Sequence, residues 1–137
     1  IAIFAGRMLR NIELTIFGGG DQVRDFVFVD DIVRANLLAT ERSADRAYNL
    51  GHGVGISVND IYTSLAKIVG YEQAPVAAPP RLGEIARSVL SSESIRADWG
   101  WRPKISLEEG LRRTVEHIRT HELGASLTDA PDQRPDA

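Results

Sequence analysis

Apolar residues recur along this chain at two spacings, and the switches between them mark its elements. Ile1, Phe4, Met8 and Leu9 fall on roughly one helical face across residues 1–10. Asn11 follows, and asparagine tolerates the left-handed geometry that ends a helix. Residues 14–17 (LTIF) read as a strand, and residues 25–29 (DFVFV) as a second, buried one, since Phe26–Val29 is apolar on both faces. Asp30 or Asp31 is placed to cap a helix over residues 31–42, where a carboxylate accepts the orphan N–H groups of a first turn. Residues 47–50 (AYNL) read as a short strand.

The second half continues the pattern. Ser57 and Asp60 form a capping box, with Asp in place of the usual Glu, ahead of Val58, Ile61, Leu65, Ile68 and Val69. Gly70 stops that helix, predicted over residues 57–69. Pro75, Pro79 and Pro80 keep the following segment extended. Residues 92–99 form a short helix ended by Gly100. Ser106, with Glu109 at the reciprocal position, caps a last helix over residues 106–121 that aligns Leu107, Leu111, Val115 and Ile118. After Leu123 the periodicity is lost. The chain therefore divides into a folded portion, residues 1–123, and a tail, residues 124–137, of disordered composition. Short strands alternating with helices predict an α/β fold with helices packed on a small sheet.

Composition narrows the function classes. The 137 residues suit one domain. No stretch is long and apolar enough to span a membrane. A net charge of -3, with 16 basic residues scattered among 19 acidic ones, offers no footprint for nucleic acid. The absence of cysteine removes disulfides and thiolate metal sites. No targeting pattern is visible, which points to the cytoplasm. The chain opens on Ile1, inside a helical pattern, and reads as a fragment or a processed product.

Two glycine clusters invite a phosphate-binding reading and both favour a structural one. Gly18, Gly19 and Gly20 precede Asp21 between two strands, whereas a phosphate loop belongs at a helix N-terminus. Gly51, Gly53 and Gly55 do lie before a helix, yet the dinucleotide pattern G-x-G-x-x-G requires glycine where Ile56 stands. His117 and His121 are four apart on one helix but lack a third ligand, and the helix C-terminus accounts for them. Arg24 and Arg81 are the strongest candidates, because a guanidinium fork matches phosphate oxygens. Arg24 stands at the edge of an apolar run that anchors it.

Three stretches, LTIFGGGDQVRDFVFVDDIVRA, AYNLGHGVGISVNDI and RLGEIARSVLSSESIRADWGWRPKISLEEGLRRTV, together resemble the extended short-chain dehydrogenase/reductases. Within them the chain is similar to the NAD-dependent epimerase/dehydratase family, and to its UDP-glucose 4-epimerase-like members. The resemblance implies a Rossmann-type enzyme of which this chain is the C-terminal, nucleotide-sugar-binding portion. It implies that Phe17 packs on the base and that the backbone at Thr15 meets the base edge. It further implies that Arg24 and Arg81 hold the diphosphate and that Glu84 reaches the ribose hydroxyls. Leu82 stands where the family usually has proline.

In the full-length family the cofactor is NAD, and the proton-moving group is the tyrosine of a Tyr-x-x-x-Lys motif. Neither that motif nor the glycine fingerprint occurs here: the residues four beyond Tyr48, Tyr62 and Tyr71 are His52, Ala66 and Pro75. The resemblance thus implies no cofactor and no catalytic residue on this chain alone. The expected partners are a nucleoside-diphosphate sugar and a missing N-terminal cofactor domain, and exposed apolar surface predicts self-association. The competing readings are a non-catalytic binding or oligomerisation module and a truncation without function.

Overall fold

A computed structural model of the chain describes residues 1–42 and 46–122. The tail expected over residues 124–137 lies outside the described residues. Helix α1 spans Ala2–Leu9. Asn11 follows with φ 53°, the left-handed stop its side chain permits. Strand β1, Thr15–Phe17, leads through a glycine turn into β2, Val23–Arg24. Helix α2 is Val29–Glu41. Strand β3, Ile56–Ser57, runs directly into α3, Val58–Val69. Strands β4, Val76–Ala78, and β5, Arg87–Ser88, precede α4, Glu93–Trp99, and α5, Leu107–His117. The end of α5 widens into one π-helical turn, Ile118–Glu122, which keeps Ile118 in the core.

The fold is α/β, but its strands form two small sheets rather than one. In the first, β1 and β4 pair in parallel, with Phe17 opposite Ala78. In the second, β2 lies between β3, antiparallel to it, and β5, parallel to it, with Arg24 opposite Ser88. Two cores sit beside them. The larger joins α1, α3 and α5 through Ala5, Met8, Leu65, Leu111 and Val115, with Leu14 and Tyr71. The smaller gathers Ala35 of α2 and Ile95 of α4 on Trp101, with Tyr48 and Leu50 against it.

The local signals at helix ends hold. Ser57 and Asp60 make a full reciprocal capping box, and Gly70 closes α3 with φ 78°. Gly100 closes α4 in the same way. Ser106 accepts the Glu109 N–H at 3.2 Å. The Glu109 carboxylate does not return the bond; it turns to Arg113 four residues on, at 2.7 Å.

Three expectations need correction. Residues 25–29 are not a strand. The ladder stops at Arg24 because the Asp25 carboxylate turns away to accept the N–H groups of His52 and Gly53, each at 2.9 Å. Phe28 is extended only as the residue before α2. Its ring packs on α5, where a Cβ on Gly110 would come within 3.0 Å of it. An apolar run does not by itself distinguish a strand from such a ridge. Residues 47–50 carry no ladder among the described residues; they lean on the smaller core, and the Tyr48 hydroxyl donates to Asp98 at 2.6 Å. Finally, neither aspartate caps α2, whose first turn has no side-chain cap. Asp30 pairs with Arg113 at 3.2 Å.

Asp31 serves a different purpose. Its side chain is 0% exposed. It accepts the N–H groups of Lys104, at 3.0 and 3.1 Å, and of Ile105, at 3.0 Å, and it pairs with Arg34. Its own carbonyl accepts the Trp101 indole N–H at 3.1 Å. Burial pushes this carboxyl up, but the Arg34 guanidinium and the two backbone donors outweigh it and hold the carboxyl below its ordinary value.

The glycine turn is equally constrained. Gly18, Gly19 and Gly20 have φ of 61°, 77° and 77°. A Cβ on Gly20 would fall 2.2 Å from Asn59 Oδ1, and the Asn59 amide donates to Gly19 O at 2.8 Å. Only glycine fits both the backbone and the neighbour.

Three outcomes follow from these contacts. Asp31→Ala lowers the unfolding free energy by on the order of 2–3 kcal/mol. That is the loss of hydrogen bonds to a charged group, tempered because Arg34 is a third exposed and rehydrates. Urea titration measures it. A carboxyl depressed in the folded state contributes stability above its unfolded value of about 3.9 and loses it as pH falls through the folded value. The stability gap between the wild-type chain and Asp31→Asn is therefore full at neutral pH and closes in acid. Gly20→Ala costs about 1–2 kcal/mol from the left-handed backbone alone, before the Asn59 clash is relieved. A thermal melt unchanged by that substitution contradicts the turn geometry.

Candidate functional site

The chain crosses between the two sheets several times, and the candidate site lies beneath the crossing from β4 to β5. Parallel pairing of β1 with β4 carries residues 79–81 past the end of β1. Gly18 leaves room for this: a Cβ there would sit 3.2 Å from Pro80 Cβ. Parallel pairing of β5 with β2 then returns the chain beside Arg24. Residues 79–86 thus form an arm pinned at both ends by ladders.

Under the arm is a groove of about 600 Å3 whose lining includes Thr15, Phe17, Gln22, Arg81 and Glu84. The Arg81 guanidinium lies over the Phe17 ring, its carbon 4.2 Å from the ring centroid. Such a stack is attractive because the ring face carries negative charge density. The Gln22 amide donates to the Phe17 carbonyl at 3.1 Å and to Glu84 Oε1 at 3.4 Å, tying the floor of the groove to the arm. Arg7 of α1 closes one side, its Nε donating to Glu13 O at 2.9 Å.

Four of the five residues expected from the sequence, Thr15, Phe17, Arg81 and Glu84, therefore share this groove. Arg24 stands behind Glu84 rather than in the lining. Its guanidinium is 4.0 Å from Glu84 Oε1 and donates to the Val23 carbonyl at 2.8 Å. Gln22 and Arg7 were not singled out from the sequence. Gln22 had a signal, since it lies two residues before Arg24 in the same motif. Arg7 had none, because the approach of α1 to the groove is a tertiary fact.

The other glycine cluster is a structural loop. Its N–H groups at His52 and Gly53 are taken by Asp25, and Gly51 N–H donates to Ser92 Oγ at 2.6 Å, while that hydroxyl returns a bond to Gly51 O at 2.9 Å. A Cβ on Gly51 would fall 2.6 Å from Asp25 Oδ2, so glycine is required there by Asp25. The rings of His117 and His121 stack with centroids 4.5 Å apart. Among the described residues no three His, Cys, Asp or Glu side chains are grouped to hold a metal ion. A second cavity, about 250 Å3, lies between residues 26–29 and α5 and has no ionisable side chain in its lining. No helix among the described residues is long and apolar enough to cross a membrane.

Comparison with known proteins finds relatives in both sequence and fold. A sequence model of the NAD dependent epimerase/dehydratase family matches residues 1–51. The UDP-glucose 4-epimerase of Mycolicibacterium smegmatis is 39% identical over 120 residues, covering 87% of this chain and 38% of that protein. The crystal structure of a Thermotoga maritima UDP-glucose 4-epimerase with UDP-glucose is 49% identical, with a TM-score of 0.84, over 86% of this chain and 38% of that one. A Thermus thermophilus UDP-glucose 4-epimerase in complex with NAD is 39% identical, with a TM-score of 0.78, over 88% and 40%. The chain thus spans about two-fifths of the length of these relatives. In sequence and in fold alike, it belongs to the NAD-dependent epimerase/dehydratase family.

Proposed function

We propose that this chain is the C-terminal, nucleotide-sugar-binding part of an NAD-dependent epimerase or dehydratase. The observation that carries the reading is the groove between β1, α1 and the arm, where an aromatic ring, a guanidinium and a carboxylate meet. Each suits one part of a nucleoside diphosphate. The Phe17 face suits a flat base, and Thr15, in the lining of the same groove, would offer its backbone to the base edge. Glu84 accepts from ribose hydroxyls. Arg81 matches the oxygens of a diphosphate, and Arg24 adds positive charge from behind Glu84. The Thermotoga relative, which holds UDP-glucose in its crystal, supports this class of ligand.

In the whole enzyme NAD supplies the hydride acceptor and donor. The described residues do not fit that cofactor. The one glycine-rich loop leading into a helix has its backbone donors at residues 51–53 taken by Asp25 and Ser92. No Tyr-x-x-x-Lys motif occurs in the sequence. The contribution of this chain is to bind and orient the sugar nucleotide, which lowers the barrier by fixing geometry rather than by moving protons.

A second reading, an association module, has one observation in its favour. Val29, Val33 and Leu37 recur every four residues along one stripe of α2 and are 61%, 47% and 59% exposed. Sedimentation that shows a concentration-dependent dimer supports it.

The main reading predicts weak affinity for UDP. A charge-assisted hydrogen bond contributes about 1.5–3 kcal/mol and a base stack roughly 1–3 kcal/mol, against association costs of about 4–15 kcal/mol. The dissociation constant is then on the order of 1 mM or weaker. An NMR titration with UDP shifts resonances at residues 15–17 and at Arg24, and the affinity falls in Arg24→Ala and further in Arg81→Ala. Unchanged binding in both Arg24→Ala and Arg81→Ala places the diphosphate elsewhere. Tight NAD binding by calorimetry contradicts the assignment of the cofactor to another part of the enzyme.

A further inference from the structure

We propose that Arg81 is a specificity-determining residue that favours a base carrying a diphosphate over a free base or nucleoside in the groove. The inference rests on the nucleotide reading above and goes a step past it, because the residue expected to hold the diphosphate is found lying on the surface expected to hold the base. The Arg81 guanidinium carbon is 4.2 Å from the Phe17 centroid, the separation of a stacked pair. A base and a guanidinium cannot occupy the same ring face at once. A base that stacks on the groove face of Phe17, the face Arg81 covers, must first displace Arg81.

The outcome of that exchange depends on what else the ligand carries. A free base or nucleoside removes the guanidinium from the ring and returns nothing to it. A nucleoside diphosphate offers the displaced fork two or more anionic oxygens, for which it is better matched than for a ring. The stack is therefore lost without compensation in the first case and replaced by a stronger interaction in the second. Discrimination arises from a contact present only in the empty groove, in the way that specificity is often set by what disfavours the wrong partner.

The arm is built to allow the exchange. Leu82, next to Arg81, is 106% exposed and Ile85 is 63% exposed, so neither anchors the arm in a core. Gly83 has φ 77° and nothing within 4 Å of where a Cβ would stand. The ends stay fixed, because residues 76–78 are paired to β1 and residues 87–88 to β2. The platform stays fixed too, since Gln22 holds the Phe17 carbonyl and β1 is in a ladder. Arg81 can leave the ring while the ring remains in place.

The test is a pair of NMR titrations, with UDP and with uridine, on the full 137-residue chain and on its Arg81→Ala and Arg81→Lys variants. Arg81→Ala is expected to weaken UDP by about tenfold or more, and to tighten uridine by about two- to fivefold, the factor an exposed cation–π stack is worth. Arg81→Lys, whose compact ammonium keeps the charge without covering the ring, tightens uridine similarly and retains part of the UDP affinity. Uridine binding that is unchanged or weaker in both variants, with UDP still bound at residues 15–17 of the wild-type chain, overturns the proposal and leaves the nucleotide reading standing. A wild-type chain that shows no UDP shift at those residues overturns the nucleotide reading, and the proposal with it.

Discussion

The buried carboxylate of Asp31 is the contact on which the assembly of this chain turns. It sits in the first turn of α2 and takes hydrogen bonds from backbone 73 and 74 residues away. The segment it captures is the one that leads into α5, and α5 belongs to the larger core. Three residues before Lys104, Trp101 fills the smaller core and donates its indole N–H back to the Asp31 carbonyl. A single residue thus fastens the two cores to each other. Hydrophobic burial supplies the bulk of the driving force but is not directional. The charge-assisted bonds at Asp31 supply the direction, and they do so with partners that cannot rearrange cheaply, because two of them are main chain.

What was legible in the sequence follows the range of the interaction that fixes each element. The capping box at Ser57 and Asp60 and the glycine stops at Gly70 and Gly100 involve partners within a few residues, and each reads directly from the chain. Asp31 does not. Next to Asp30 and before an apolar stripe it has every mark of a helix cap, and nothing nearby announces that its partners lie near the far end of the fold. The same holds for residues 25–29. Their β-branched and aromatic composition satisfies the strand pattern, and it is Asp25, reaching across to the loop at residues 51–53, that ends the ladder at Arg24. A strand exists only where a neighbour offers an edge, and periodicity carries no information about the neighbour.

The candidate site divides along the same line. Phe17, Arg81 and Glu84 emerge from family resemblance and are found in one groove. Their convergence depends on two parallel pairings between strands of two and three residues, far below the length at which a sequence pattern is decisive. Gln22 escapes notice for a related reason. A glutamine two residues from a strand arginine looks like an exposed polar residue until the carbonyl of Phe17 and the carboxylate of Glu84 are both seen at its amide. The stacking of Arg81 on Phe17 has no sequence signature at all, since 64 residues separate them.

The arm over the groove has an evolutionary consequence. Its middle touches the ligand side of the molecule, yet Leu82 and Gly83 bury nothing and support nothing. Most mutations near a binding site are constrained twice, by the ligand and by the fold. Residues 82 and 85 are released from the second constraint and Gly83 answers only to its own left-handed backbone, while the ladders at either end preserve the span. Substitutions, or even a change of length, can accumulate there at little cost to folding. The arm is a place where a lineage of such proteins can drift between ligands without passing through unfolded intermediates, and where a laboratory library would lose few of its members to misfolding.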